Sequence, residues 1–415
     1  MKNVVLICFC FFLTKTNAQQ TFTIEECENQ FTKNNLLLVA AQFNVDASKA
    51  AIIQAKTWDN PYFSGEFNLY NPNNQQYFYA GNSGQKAFAI QQLIYLSGKK
   101  HNEIALAKTN NEIATLQFED ALRNLKAALK QSFYIIYFNT KKIEISDKQL
   151  SNLDSLIHAY GIQTEKGNVA MKDLVRLQSL YFSLKNDKTL LVQSLMEEQQ
   201  KLKLLTGTSV NIIPQVSNLN NYYSPEFIKK LSIDSLSKLA MNNRPDFIIA
   251  TKNIAASEWA LKWQKDIAKP DLTLGAAYDQ RGGAFNNQTN ITFGMPLPMW
   301  NKNKGNIKIA EIQLKQSKVM ENFIALQLKN EVNTYYQKWL EASINYQYLA
   351  NSNTESFELV YQGVINNFRK KNITILEFTD FMESYNQSIQ NFNEISKTLI
   401  LSCEDLNKTI NQKIF

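Results

Sequence analysis

The sequence predicts a mainly α-helical chain that also contributes four strands to a membrane β-barrel. Two observations predict this fold class: the helical patterns are far longer than an ordinary globular core needs, and four short segments alternate apolar with polar residues. Beyond the N-terminal apolar stretch, no uninterrupted apolar run approaches the roughly 20 residues that a spanning helix requires. Any membrane crossing would therefore be made by strands.

The N-terminal segment 1–18 has the pattern of a signal peptide. Lys2 precedes the apolar stretch from Val4 to Leu13, and small residues occupy the positions that a signal peptidase reads, ending at Ala18. We expect the mature protein to begin near Gln19 after export.

Two cysteines remain in the mature chain, Cys27 near one end and Cys403 near the other. In an oxidising compartment they could form one disulfide, and two separately buried thiols are an equal alternative. Because a disulfide needs a specific geometry that a sequence does not reveal, both alternatives stay open.

Charge and motifs argue against nucleic-acid binding and against catalysis. The formal net charge of +7 comes from 44 basic and 37 acidic residues spread along the chain, without a basic block. The sequence contains no HExxH, no Gly-rich phosphate loop after a strand and no GxSxG. His101 and His158 lack a second strong ligand at helical spacing. We therefore expect no catalytic residues, no metal site and no cofactor.

One structural unit is predicted twice along the chain. In each copy a helix stops at a proline, Pro61 or Pro270. After the proline, apolar residues no longer recur at helical spacing but at every second position, as in a strand. A polar loop and a returning strand complete a hairpin, whose strands of about ten residues suit a tilted crossing of a bilayer. A very long helix, a tip and a return helix follow.

The predicted boundaries follow from these patterns. The first repeat spans 19–207, a linker or equatorial segment spans 208–244, and the second repeat spans 245–415. The hairpins lie at 61–95 and 270–298, and the long helices at 98–165 and 302–369. Apolar residues recur in the first long helix at alternating spacings of three and four, which is typical of a coiled coil. Each long helix would extend on the order of 100 Å.

Four strands cannot close a membrane barrel, and open strand edges are not tolerated in lipid. Several chains must therefore pool their strands. Three chains would supply twelve strands, so we expect a homotrimer in which the long helices continue the barrel as a helical tube outside the lipid.

The sequence resembles the TolC-like outer-membrane efflux proteins from Thr23 to about Asn407, which is nearly the whole mature chain. The resemblance is carried by the proline-ended helices at Pro61 and Pro270 and by three further motifs: NRPD at 243–246, LLTG at 204–207 and MPLPMWNKNKG at 295–305. The last motif is most similar to the heavy-metal, CzcC-like branch of the family.

This resemblance implies a trimer with a 12-stranded β-barrel in the outer membrane and an α-barrel across the periplasm. It further implies a passive duct of a tripartite efflux system, exporting small solutes or metal cations. The expected partners are outer-membrane lipid, a periplasmic adaptor (membrane fusion protein) and an RND-type inner-membrane pump.

The resemblance also assigns roles to residues at the two tips. Adaptor docking is expected around the first tip and the second tip, at Gly167, Asn168, Val169, Ala170, Met171, Asn372, Ile373, Thr374 and Ile375. Some relatives lock the aperture with an arginine at the position of Ile373. Here Arg369, one turn earlier, is the candidate partner of Asp173.

Glu377 and Asp380 lie three residues apart and therefore on one helix face. They match positions at which relatives carry an acidic constriction. Three-fold symmetry would turn them into a ring of carboxylates that favours cations. The alternative is that they are solvated surface acids.

Two other functions fit parts of the sequence. A type I protein-secretion or drug-efflux duct would have the same architecture and a different cargo. A periplasmic coiled-coil scaffold or adaptor would share the long helices, but it would have no use for four amphipathic strands.

Overall fold

A computed structural model describes residues 20–72, 75–81, 84–216, 222–223, 230–282, 284–351 and 355–415. The predicted signal peptide, residues 1–18, lies outside the described residues. The described helices and strands are, in chain order, β1 (Gln20–Phe22), α1 (Ile24–Asn34), α2 (Leu36–Lys56), β2 (Tyr62–Phe67), β3 (Tyr70–Asn71), β4 (Gln76–Tyr77), β5 (Gln85–Ile94), α3 (Lys99–Glu165), α4 (Met171–Thr206), β6 (Ile212–Pro214), α5 (Ile233–Asn243), α6 (Pro245–Ile267), β7 (Leu272–Arg281), β8 (Phe285–Gly294), α7 (Lys304–Ala350), α8 (Glu355–Arg369) and α9 (Ile375–Ile410).

The chain divides into two compact units, and each is described by itself. The strand unit comprises Val39–Ala121 and Arg244–Lys329. The tip unit comprises residues up to Leu38 together with Leu122–Asn243 and Asn330–Phe415.

An antiparallel sheet in the order β2-β5-β7-β8 forms one part of the strand unit. Strands β5, β7 and β8 each have ten residues, a length that suits a tilted membrane crossing, and β2 has six. Among the described strands the sheet is open, because β2 and β8 are each paired on one side only. A small pair of two-residue strands, β3 and β4, lies in the segment that the sequence predicts to be a polar loop.

The helices of the strand unit follow the order of the strands. Helix α2 leads into β2, β5 into α3, α6 into β7 and β8 into α7. Neighbouring helices are joined by side-chain contacts, which are Ser48–Asn111 at 2.9 Å between α2 and α3, Lys252–Glu112 at 2.6 Å between α6 and α3, and Ser257–Ser317 at 2.8 Å between α6 and α7. The helix order is therefore α2-α3-α6-α7, and α2 and α7 are the edge helices.

The tip unit is helical and ends in two turns, one between α3 and α4 and one between α8 and α9. Its lower core is made of leucines from α3 and α4 and of aromatic side chains from α8 and α9. The buried members are Leu150, Leu153, Leu156, Leu177, Leu180, Leu184, Tyr361, Ile365, Phe368, Phe378, Met382 and Tyr385. These side chains recur at helical spacings, which places them on one face of each helix.

The second long helix differs from its prediction. The sequence predicts one helix over 302–369, whereas α7 ends at Ala350 and α8 begins at Glu355. The intervening sequence is Asn-Ser-Asn-Thr. Residues 352–354 lie outside the described residues.

Within the linker, the structure adds short elements that the sequence analysis did not locate fully. Strand β6 pairs in parallel with β1, with Ile212 opposite Gln20, and α5 occupies Ile233–Asn243. Cys27 and Cys403 are both buried free thiols. Of the two alternatives left open by the sequence, the fold therefore has separate thiols.

Among the described helices, α2 alone passes a test of length and apolar composition for a membrane span. Its apolar residues are interrupted by polar ones, including Asp46 and Lys49, whose side chains form an ion pair at 3.0 Å. One such helix is weak evidence for a helical span.

Candidate functional site at the helical tips

The first tip is a tight turn that ends α3 and begins α4. The Gly167 N–H donates to the Thr164 carbonyl (2.9 Å), and the Asn168 N–H donates to the Gln163 carbonyl (2.9 Å). This is the bonding pattern of a Schellman helix end. Gly167 has a φ of +76°, in the left-handed region that favours glycine. The Asn168 side chain also donates to the Gln163 side chain at 2.9 Å.

The second tip has the same hydrogen bonds with a different residue at its centre. The Lys371 N–H donates to the Phe368 carbonyl (2.9 Å), and the Asn372 N–H donates to the Asn367 carbonyl (2.9 Å). Lys371 occupies the position of Gly167 and has a φ of +63°. The second tip therefore holds a lysine in a backbone conformation that costs non-glycine residues roughly 1–2 kcal/mol.

The helices that leave the two tips are capped differently. Ala170 precedes α4 and offers no side-chain cap. Thr374 precedes α9, and its hydroxyl accepts from the Glu377 N–H at 3.2 Å, while the Glu377 carboxylate accepts from the Thr374 N–H at 2.7 Å. This reciprocal pair is a capping box, whose sequence signature is Thr or Ser followed three residues later by Glu. This signature is present in the sequence at Thr374 and Glu377 and was not among the predicted features of the tip.

Glu377 and Asp380, the candidate selectivity pair, are both exposed on α9. The hydrogen bonds from the Thr374 backbone and side chain hold the pKa of Glu377 below its usual value. Glu377 thus has a structural role at the helix start, and its carboxylate is kept ionised by that role. A ring of these acids in an assembly remains a prediction.

The predicted docking residues divide into exposed and packed groups. Ile373 and Ile375 are partly buried against the lower core, and Val169 is half-buried. The exposed members are Gly167, Asn168, Ala170, Met171, Asn372 and Thr374. An approaching partner would therefore meet mainly the turn backbones, two asparagines and the Met171 side chain.

An aromatic stack lies directly beneath the second tip. The Phe368 ring of α8 stacks on the Phe378 ring of α9, with centroids 4.0 Å apart and an interplanar angle of 11°. The Tyr160 ring of α3 stacks on Phe368 at 5.4 Å. Burial, and then the nearby Asp173 carboxylate, raise the pKa of Tyr160. The stack joins three of the four tip helices.

Two polar links join α3 to α8 above this stack. Lys148 pairs with Glu358 at 2.5 Å, and the Asn152 side chain donates to the Tyr361 hydroxyl at 2.9 Å. Tyr361 is 1% exposed, and its ring stacks on Tyr385 of α9 at 4.7 Å. Glu358 also accepts from the Gln362 side chain at 2.9 Å and the Tyr385 hydroxyl at 3.2 Å.

The environment of Glu358 favours its ionised form. Burial opposes this by raising the pKa, but hydrogen bonds from Lys148, Gln362 and Tyr385 outweigh it and lower the pKa of Glu358. The carboxylate therefore stays charged at neutral pH and keeps the link between α3 and α8.

The candidate lock pair, Asp173 and Arg369, is not brought together within the chain. Asp173 is half-buried beside Tyr160, and Arg369 is exposed. The ion pairs recorded among the described residues join Lys148 to Glu358 in this part of the tip unit and do not include Asp173 with Arg369. The pair remains a prediction for an assembled molecule. Sequence spacing gave no signal for the observed link, because Lys148 and Glu358 are 210 residues apart.

Over the described part of the chain, no group of three His, Cys, Asp or Glu side chains is arranged to hold a metal ion. The tips therefore contain turns, helix caps, an aromatic stack and polar links. These features position the helices that meet at the tips.

Comparison with solved structures identifies the fold. A membrane protein from Pseudomonas aeruginosa has a TM-score of 0.73 at 14% identity, with 93% of this chain and 92% of that chain covered. CusC has a TM-score of 0.71 at 17% identity, covering 93% of this chain and 91% of the other. The CmeC outer-membrane channel of Campylobacter jejuni has a TM-score of 0.71 at 14% identity, covering 93% and 85%.

The chain therefore has the fold of outer-membrane channels, and the predicted TolC-like fold class is confirmed. The identities are low and the TM-scores nearly equal, so the likeness does not select the heavy-metal branch. Neither the comparison with family models nor the comparison with curated protein sequences gives a match.

Proposed function

We propose that this chain is the outer-membrane channel component of a tripartite efflux system and acts as a passive homotrimeric duct, not as an enzyme. In this proposal its strands lie in the outer membrane and its helices extend into the periplasm. The tips meet a periplasmic adaptor and, through it, an RND-type inner-membrane pump. The duct exports small solutes or metal cations.

The observation that carries the proposal is the open four-stranded sheet. The free edges of β2 and β8 leave backbone N–H and C=O groups unpaired, which lipid does not tolerate. On β8 the apolar side chains of Ile291 and Phe293 are 86% and 81% exposed. An open sheet with bare apolar side chains suits a barrel that closes only when β8 of one copy pairs with β2 of the next.

The edge helices support the same closure. Helix α2 exposes Val39, Phe43 and Ile53. Helix α7 exposes an apolar stripe at helical spacing, consisting of Ile309, Ile312, Val319, Met320, Phe323 and Leu326. Since the helix order follows the strand order, the α7 stripe of one copy would face α2 of the next. Contacts between two different surfaces of this kind generate a ring when the rotation from one copy to the next closes on itself.

Three copies would pool twelve strands and extend them as a ring of long helices. We further propose that the chain consists of two structural repeats, 19–207 and 245–415. The matching hydrogen bonds of the two tips support this division, because each turn repeats the other bond for bond.

At the tips we propose adaptor docking and gating. The exposed turns at Gly167 and Lys371 would contact the adaptor, and the links Lys148–Glu358 and Asn152–Tyr361 would hold α8 against α3 while the tip is closed. Adaptor binding would open the gate only if it binds the open tip more tightly than the closed tip.

We also propose that Glu377 and Asp380 form the acidic ring. Replacing both with Asn should raise the anion conductance of single channels and weaken block by multivalent cations. Unchanged ion selectivity would remove the ring from the proposal and would leave Glu377 with its capping role alone.

Metal cations are the proposed cargo if the heavy-metal resemblance holds, and drugs or secreted proteins are the alternative. A deletion strain tests this choice. New sensitivity to zinc, cobalt or copper supports metal export, and unchanged metal tolerance with new drug sensitivity supports the alternative.

Fractionation and conductance test the duct itself. The protein should be recovered with the outer membrane and should form channels in planar bilayers. Recovery in the soluble periplasmic fraction without channel activity would favour the coiled-coil scaffold instead.

A further inference from the structure

The tryptophans of the chain are concentrated at one end of the sheet. Three of the five, Trp58, Trp263 and Trp300, lie in the short segments or helix ends that connect strands to long helices, and Trp259 lies one turn before Trp263 on α6. The loops at the opposite end, between β2 and β5 and between β7 and β8, contain none. The two ends of the sheet therefore differ in chemistry.

Lysines lie at all four junctions, including the one after β5, which has no tryptophan. They are Lys56 before β2, Lys99 and Lys100 after β5, Lys262, Lys265 and Lys269 before β7, and Lys302 and Lys304 after β8. We call these lysines and the four tryptophans the junction collar. All of its members belong to the strand unit.

Side-chain contacts connect the four junctions into one continuous belt. The Trp58 ring lies 5.8 Å from the Tyr95 ring, which joins the first junction to the second. Lys99 donates to the Lys269 carbonyl at 2.6 Å, which joins the second to the third. Asn303 donates to the Gln264 carbonyl at 2.8 Å, which joins the third to the fourth.

Two lysines of the collar form ion pairs within the strand unit, at these junctions. Lys99 pairs with Asp271 at 2.7 Å, and Lys269 pairs with Asp266 at 2.9 Å. The Asp266 carboxylate, 8% exposed, also accepts from the Asn102 side chain at 2.6 Å. The buried acids of this region are thus neutralised by the inner lysines.

The outer lysines of the collar point to an external anion. Lys262, Lys265, Lys302 and Lys304 are exposed, and none of them takes part in an ion pair recorded among the described residues. Lys262 lies over the Trp259 ring at 4.1 Å. Trp300 is 92% exposed and is followed by Lys302 and Lys304. Glu258, one turn before Lys262, is an exposed acid in the same segment. The four outer lysines and Glu258 together carry a net charge of +3.

We propose that the junction collar binds the phosphate groups of anionic phospholipids in the leaflet that borders the helical end of the barrel. This inference rests on the proposed outer-membrane location. Indole rings prefer the headgroup level of a bilayer, and lysine side chains beside them reach the lipid phosphates. Each lysine near an anionic surface strengthens binding by about fivefold.

The tryptophans themselves supply the assay. Trp339, the fifth tryptophan, is 1% exposed in the tip unit and gives a constant background. Full-length protein is reconstituted with phosphatidylglycerol or phosphatidylcholine that carries brominated acyl chains, which quench nearby indoles. We expect brominated phosphatidylglycerol to quench at a mole fraction at least about fivefold lower than brominated phosphatidylcholine does, because a single lysine already supplies that gain. The triple variant K265Q/K302Q/K304Q should lose this preference while phosphatidylcholine quenches it as before.

A matched variant controls for the change in charge. K315Q/K318Q/K329Q removes three exposed lysines from α7 that begin about 16 Å further along the helix from Lys304, and it should keep the preference for phosphatidylglycerol. Equal quenching of the unmodified protein by both lipids, or a preference that survives in the collar variant, would overturn the lipid inference alone. Absence of quenching by either lipid would overturn the membrane location as well.

Discussion

Breaking the two links between α3 and α8 should open the tip. Tyr361→Phe keeps the ring that stacks on Tyr385 and removes the oxygen that accepts from Asn152, a loss of about 0.5–1.5 kcal/mol. Lys148→Gln breaks the ion pair with Glu358. Because both of its side chains are about half-exposed, that pair contributes only about 0.2–1 kcal/mol. Together the changes remove about 1.5 kcal/mol from the closed state, which is roughly a tenfold change in the ratio of open to closed channels.

Single-channel recording in planar bilayers measures this ratio as the time spent at high conductance. The double variant should show about a tenfold increase. Lys141→Gln is the matched control, because it removes an exposed pair with Glu144 that lies within α3 and joins no second helix. A double variant that behaves like the unmodified protein, or a control that opens equally, would refute the gating role of these links.

Three further predictions concern the tips and the sheet. Because both positions have positive φ, Gly167→Ala should destabilise its turn by about 1 kcal/mol, and Lys371→Gly should stabilise the other turn by up to about 1 kcal/mol. Denaturant unfolding should show changes in the free energy of unfolding that have opposite signs for the two variants. Changes of the same sign would contradict this prediction. The folded-state pKa of Glu358 lies below its usual 4.5. The stability that its link to Lys148 contributes is therefore present above pH 4.5 and is lost as the pH falls through the lowered pKa. Channel opening should rise in that acid range, and the Glu358→Gln variant should show no such rise. Gly275→Ala would place a Cβ 2.5 Å from a backbone carbonyl oxygen of β5 and should reduce the β signal in circular dichroism, whereas Gly294→Ala, with its nearest neighbour at 4.0 Å, should not.

The sequence predicted the elements that depend on a repeated apolar pattern. Helix α3 occupies Lys99–Glu165, close to the predicted 98–165, and β7 and β8 lie within the predicted hairpin at 270–298. These patterns are strong because each long helix and each strand presents one apolar face over many residues. The end of α7 at Ala350 was not predicted, because the second long helix was predicted as the counterpart of the first, which is unbroken.

The candidate site was less predictable from the sequence. Positions for the two tips came from Gly167 and from the resemblance, but nothing marks Lys371 as a residue with positive φ, because lysine is not favoured there. The capping box at Thr374 had a readable signature. The link between Asn152 and Tyr361 joins residues 209 positions apart, so only the folded packing of α3 against α8 reveals it.

The number of chains in one particle shows whether neighbouring copies close the barrel. Light scattering of the detergent-solubilised mature protein, corrected for bound detergent, gives the mass of the protein part, and circular dichroism of the same sample reports its strands. We expect three chains per particle with a clear β contribution, since β2 and β8 are each paired on one side only within the described chain. A single chain that stays soluble without detergent and lacks a β signal would contradict it.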